Sequence, residues 1–210
     1  MFGDSQWNTM EKVIDIRPLK KKLRAEAREM RRAMSPEKKQ LLDRKIKNKL
    51  LNLWAVREAQ AVLCYVSTDI EVDTREFINA LLEMGKPVAV PRCEGEKSNM
   101  NFYYIDSLDD LSPGSFSVDE PESCAERMVT ETENTLCIVP AFMFDKSGYR
   151  LGYGKGYYDR YLSRYKGSTI GICYSENIKD ELFHGKYDRT VGAIVTEKNI
   201  FSDLNIAKDC

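Results

Sequence analysis

Histidine is almost missing from this chain: His184 is the single one among 210 residues. A zinc site built on imidazoles is therefore not expected, nor is a Ser–His or Cys–His mechanism. The six cysteines, at positions 64, 93, 124, 137, 173 and 210, never fall at CxxC spacing. That leaves neither a zinc ribbon nor a dithiol redox motif. No apolar run approaches the ~18 residues that a membrane helix requires, so no membrane partner is expected. Charge of one sign is also lacking. The 32 Lys and Arg against 33 Asp and Glu leave a net charge of −1, which argues against nucleic acid as a general partner. Residues 1–16 have no apolar core of the secretory kind, and a reducing cytoplasm is the expected compartment. Two familiar phosphate loops are missing as well. No GxxxxGK[ST] occurs, and Tyr157 stands where the dinucleotide fingerprint GxGxxG needs its third glycine.

What is present is a different glycine loop. Residues 150–162 read RLGYGKGYYDRYL, with Gly152, Gly154 and Gly156 at every second position. Glycine costs backbone entropy, so this spacing calls for a reason. Close backbone approach to a ligand supplies one. Amides turned toward one point make an anion nest, to which a following helix adds the positive end of its dipole. Arg150 and Lys155 add full cationic charges, and Asp159 is near enough to hold a divalent cation. The plain alternative is a glycine-rich turn between a strand and a helix.

Apolar residues make up 42% of the chain, and its length suits one domain after a short leader. Residues 1–17 read as a loosely ordered leader and 18–210 as a single domain. Residues 20–32 are helix formers rich in cations. Ser35, Pro36 and Glu37 read as N-cap, first-turn proline and acidic first turn of a second helix. Its apolar stripe is Leu41, Leu42, Ile46, Leu50 and Leu53. Residues 74–84 form a third helix, ended by Gly85. Strands are predicted at 61–66, 87–90, 101–105, 136–143, 169–174 and 193–196, with a connecting excursion over 112–133. Asp145 to Gly148 reads as a turn. Strands alternating with helices predict an α/β fold, with a largely parallel sheet covered on both sides.

Two further places carry candidate chemistry. Lys20 and Arg24 are four apart and share a helix face, so the basic first helix is either a solvated charged surface or a phosphate clamp. Glu71 follows the first clear strand, where ligands sit in open α/β sheets. Its carboxylate can accept the paired N–H donors of a polar ring, or the segment can merely cap the next helix.

Taken in order, K-K-K-L-R at 20–24, E-V-D-T at 71–74 and P-A-F-M-F-D-K-S-G-Y-R-L-G-Y-G-K-G-Y-Y-D-R-Y-L at 140–162 resemble the 5-formyltetrahydrofolate cyclo-ligases, also called methenyltetrahydrofolate synthetases. The resemblance spans about residues 19–197. It implies a three-layer α/β/α fold with a mostly parallel central sheet. It also implies an enzyme that cyclises 5-formyltetrahydrofolate to 5,10-methenyltetrahydrofolate while splitting ATP, with Mg2+. By the same resemblance, ATP contacts fall on Lys20, Lys21, Lys22, Leu23 and Arg24, and on Arg150, Leu151, Gly152, Tyr153, Gly154, Lys155, Gly156, Tyr157 and Tyr158. Folate contacts fall on Arg24, Val66, Glu71, Tyr153, Gly154, Lys155, Gly156 and Tyr157. Asp159 and Asp188 take the magnesium, and Lys155 and Arg150 carry the catalytic charge. Phe116 stands where some relatives have tryptophan. Small-molecule substrates and a monomer are expected. A non-catalytic nucleotide- or folate-binding module remains the alternative, followed by a sugar-phosphate isomerase or CoA-transferase-like enzyme of similar layering.

Overall fold

The computed structural model describes residues 15–94, 99–115 and 118–202. The expected leader up to residue 14, and Phe116, lie outside the described residues; Arg17, the leader's last expected residue, is already helical.

The chain opens with two helices, α1 (Arg17–Arg32) and α2 (Pro36–Asn52). Ser35 caps α2 as expected, its hydroxyl accepting from Lys38 N at 3.3 Å. The stripe on α2 is narrower than read. Ile46 and Leu50 are buried and Leu42 and Leu53 pack beside them, whereas Leu41 is exposed, because it lies about 100° round the helix from Leu42. A five-residue helix α3 (Trp54–Glu58), not anticipated from sequence, leads to β1 (Ala61–Cys64), then α4 (Arg75–Glu83), β2 (Val88–Glu94) and β3 (Asn99–Ile105). Two short strands, β4 (Ser112–Pro113) and β5 (Asp119–Glu120), pair within the excursion. There follow β6 (Thr135–Pro140), β7 (Met143–Asp145), β8 (Arg150–Leu151), α5 (Tyr157–Leu162), β9 (Ser168–Ile172), β10 (Ile178–Lys179), β11 (Ala193–Val195) and β12 (Ile200–Ser202).

Seven strands form the main sheet in the order β12-β11-β9-β6-β1-β2-β3. The five inner strands run parallel, and β3 and β12 close the edges antiparallel. Side-chain alternation assigns the two faces. Val62, Cys64, Leu136 and Ile138 pack with α2, α3 and α4, while Leu63, Cys137 and Val139 pack with Tyr161 of α5. The architecture is therefore the expected three-layer α/β/α, with one full helical layer and one thin one.

One predicted strand is in fact two. The run read as 136–143 breaks after Pro140, and β7 joins β8 and β10 in a separate three-stranded sheet. The break has a polar cause. Arg31 of α1 donates Nη2 to Ala141 O at 2.6 Å and to Phe142 O at 3.0 Å, taking carbonyls that a continued strand would pair. The small sheet rests on the large one through Phe144, whose ring fills the space beside Gly171 of β9: a Cβ there would lie 2.3 Å from Phe144 Cζ. Gly171→Ala is expected to destabilise the protein by about 1–3 kcal/mol through overpacking, seen as a lower urea midpoint with an unchanged slope.

Candidate active site

The glycine loop is positioned from behind by a buried acid. Asp145 Oδ1 accepts from Ser147 N and Tyr149 N, both at 2.9 Å, and Oδ2 accepts from Leu182 N at 3.0 Å. These bonds fix the predicted turn, in which Gly148 has φ +88° and leaves no room for a Cβ beside Val191 O. The turn delivers β8 and then the loop 152–156. Gly154 and Gly156 have φ of +92° and +75°, a left-handed backbone that glycine adopts without strain. Gly154 also admits the Arg24 guanidinium, whose Cζ lies 3.1 Å from where a Cβ would stand. Gly152 faces open space. The helix after the loop, α5, has six residues, so its dipole adds less than a long helix would.

The inner stripe of α1 meets this loop. Lys20, Arg24, Ala27 and Arg31 are spaced to share one face. Arg24 donates Nε to Gly152 O at 2.7 Å, and Lys20 Nζ reaches Asp188 Oδ2 at 2.5 Å. Of the two readings offered for the basic helix, the solvated one holds only for its outer side, where Lys21 and Lys22 are exposed and Lys22 faces Glu26 at 3.8 Å. Leu23 and Leu151 pack with the apolar cluster of Ala27 and Phe142.

Charges inside the site are already balanced. Arg150 is buried and donates to Asp159 Oδ1 and to Arg189 O, both at 2.7 Å. Arg189 N adds a 3.1 Å bond to the same Asp159 oxygen. Burial pushes the Asp188 carboxyl up, but the Lys20 and Gly185 hydrogen bonds and the Lys20 and Arg150 charges outweigh it, and Asp188 titrates below its ordinary range. Across the cavity, Glu71 is buried, with Oε2 accepting from Thr68 N at 2.8 Å and Thr68 Oγ1 at 2.9 Å. Its Oε1 accepts from Tyr153 Oη at 2.5 Å.

These groups line one cavity of about 330 Å³. It opens at the carboxyl ends of β1 and β6, where the chain leaves one strand toward β2 and the other toward β9. Such a switch point is where open α/β sheets take ligands. The cavity gathers Lys20, Arg24, Val66, Glu71, Arg150, Asp159, Asp188, Gly152, and Tyr153 through Tyr158. Lys21, Lys22, Leu23 and Leu151 are not among its lining residues.

Sequence reasoning missed the opposite wall, made of Pro91, Cys93, Met100, Val118 and Glu120. The strand β2 runs four residues past its predicted end, and the excursion returns to it through Arg92 Nη1 to Pro121 O at 2.6 Å and Cys93 N to Glu120 Oε1 at 3.3 Å. Only Pro91 and Met100, flanking the two predicted strands, hinted at it. Burial, then the Glu120 charge, push the Cys93 thiol up to about 11, which leaves little thiolate at neutral pH.

Among the described residues, no three His, Cys, Asp or Glu side chains gather to hold a metal. Asp159 and Asp188 nonetheless face one cavity. Two carboxylates fit a hard cation that arrives with phosphate oxygens and keeps its waters, and not an all-protein cage. Asp159→Asn strips the buried Arg150 guanidinium of its charged partner and is expected to lower stability by about 1.5–3 kcal/mol, measured by thermal unfolding of the ligand-free protein.

A profile described as the 5-formyltetrahydrofolate cyclo-ligase family matches residues 16–197. The 5-formyltetrahydrofolate cyclo-ligase of Mus musculus is 25% identical over 195 residues, covering 88% of this chain and 96% of its own. The enzyme of that name from Escherichia coli K12 is 27% identical, over 83% of this chain and 98% of its own. The solved 5,10-methenyltetrahydrofolate synthetase of Aquifex aeolicus superposes with a TM-score of 0.77 at 33% identity, over 88% of this chain and 92% of its own. With a family match that runs from the first turn of α1 past β11, over a cavity that unites the glycine loop with Glu71, the chain belongs to the 5-formyltetrahydrofolate cyclo-ligase family.

Proposed function

We propose that this cavity cyclises 5-formyltetrahydrofolate to 5,10-methenyltetrahydrofolate at the expense of ATP, releasing ADP and phosphate. The observation that carries the reading is the juxtaposition of two unlike ends in one cavity. At one end stand the glycine loop with Lys20, Arg24, Arg150 and Lys155; at the other stand Glu71 and Val66 after β1. The first suits a triphosphate and the second a polar heteroaromatic ring.

The chemistry asks for both. A formyl group on nitrogen is an amide, and its carbonyl carbon is a poor electrophile. Attack by the formyl oxygen on the terminal phosphorus breaks the bond to ADP and turns that oxygen into a leaving group. The neighbouring N10 then bonds to the activated carbon, its proton departs, and the C–O bond breaks as phosphate leaves. Phosphoryl transfer leaves the protein mostly positioning and charge stabilisation. Lys155 and Lys20 balance the phosphate oxygens, and Arg24 holds the loop that offers its amides. Arg150, fixed by Asp159 and Arg189 O, adds an immobile charge to the wall. Glu71 orients the pterin, beside the rings of Tyr153 and Tyr157. Asp159 and Asp188 would hold Mg2+, which supplies charge neutralisation at the phosphates. No base of tuned pKa is called for, in keeping with a single histidine.

We take the protein as a monomer acting on small-molecule substrates. The described cysteines are all free, which suits a reducing cytoplasm.

Mixing the protein with 5-formyltetrahydrofolate and Mg-ATP should produce the ultraviolet band of the methenyl product with one ADP per turnover. Binding of both substrates with no band and intact ATP would mark a binding module instead. Lys155→Ala is expected to cut kcat by about 100-fold or more, read by the same absorbance; near-normal turnover would remove Lys155 from the phosphate end. Glu71→Gln is expected to raise the folate KM about tenfold, one buried charged hydrogen bond, with the ATP KM little changed.

A further inference from the structure

Glu71 already accepts three hydrogen bonds in the ligand-free protein, and a carboxylate has about four acceptor sites, too few for two more donors. Its Oε2 is taken by the backbone N–H and the hydroxyl of Thr68, and its Oε1 by the Tyr153 hydroxyl. A carboxylate reads a ring with two adjacent N–H donors best through both oxygens at once, so one partner must yield. The Thr68 contacts belong to the acid's own loop, which Glu71 N closes on Thr68 O at 3.1 Å, and they hold the side chain in place.

Tyr153 is differently situated. It lies on the far side of the cavity, flanked by Gly152 and Gly154, with 42% of its surface exposed. Its ring rests on Phe142, with centroids 4.5 Å apart, so the residue has a seat that does not depend on its hydroxyl. Burial, followed by the Glu71 charge, pushes the phenol well above its ordinary range, so it stays a neutral donor. In this geometry the Tyr153 O–H occupies an acceptor site on Glu71 Oε1.

We infer that Tyr153 is an affinity-setting residue: its hydroxyl holds the substrate's place on Glu71 in the free protein and is exchanged for a ring donor when the folate binds. The inference rests on Glu71 being the acid that reads the folate. Its consequence runs against the usual expectation for a residue that lines a site. Removing the hydroxyl should strengthen binding, because the substrate no longer competes with an internal donor. The cost appears in the free protein, where a buried carboxylate oxygen loses its partner.

Tyr153→Phe keeps the ring on Phe142 and isolates the hydroxyl. Calorimetric titration should show the Kd for 5-formyltetrahydrofolate falling about three- to tenfold, a partial recovery of one charge-assisted bond. The ligand-free Tm should fall. An unchanged or raised folate Kd overturns the exchange, as does tighter binding without loss of ligand-free stability. If the wild-type protein takes up no folate, the functional reading fails and the inference falls with it; if wild type binds and the variant binds no tighter, only the exchange fails.

Discussion

The site depends on one contact more than any other: the inner stripe of α1 laid against the backbone of the glycine loop. Arg24 accepts its place from Gly154, which has no Cβ to exclude the guanidinium, and donates to Gly152 O. One turn back, Lys20 reaches Asp188; two turns on, Arg31 takes the carbonyls of Ala141 and Phe142. A single helix face thus fixes the break between β6 and β7, the loop that follows β8 and the segment ahead of β11. An isolated glycine-rich loop would be floppy. Here its carbonyl is held by a cation whose own position is set by helix packing, so the loop is tied down in the ligand-free protein. Preorganisation of this kind is what phosphoryl transfer requires of a protein, since charge must be met without rearrangement.

The second constraint is electrostatic. Cations crowded into a cavity at the end of a sheet would repel one another if no ligand were bound. Each fixed one has an internal counterpart: Lys20 with Asp188, Arg150 with Asp159, Arg24 with a peptide carbonyl. Those same two aspartates are the acids that a phosphate-borne cation would meet. The ligand-free site is thus a set of closed pairs, with its fixed cations each held by an internal partner. Glu71 and Tyr153 repeat the theme at the other end of the cavity.

Much of this was legible in the sequence, and what escaped has identifiable physical causes. Parallel strands buried on both faces gave continuous apolar runs, so β1, β6, β9 and β11 were read in place. The loop 152–156 announced itself by glycine spacing, and Asp145 to Gly148 by turn chemistry. The break after Pro140 was hidden because its cause, Arg31, lies more than a hundred residues earlier. The basic character of α1 does not reveal its orientation, since exposed Lys21 and inward Lys20 are adjacent and chemically alike. The sequence shows Arg150 as a cationic charge but not its pairing with Asp159, nine residues on. The far wall of the cavity was out of reach, because Cys93, Val118 and Glu120 acquire meaning only when the excursion folds back on β2.

A structure determined with 5-formyltetrahydrofolate and a non-hydrolysable Mg-ATP analogue bound together tests the central claim most directly. The account expects the terminal phosphates within hydrogen-bond distance of the amides of 152–156 and of Lys155, with the pterin edge on Glu71 and the formyl oxygen facing the terminal phosphorus. A nucleotide seated outside the crevice between β1 and β6, with Lys20 still on Asp188 and those amides unused, would contradict it.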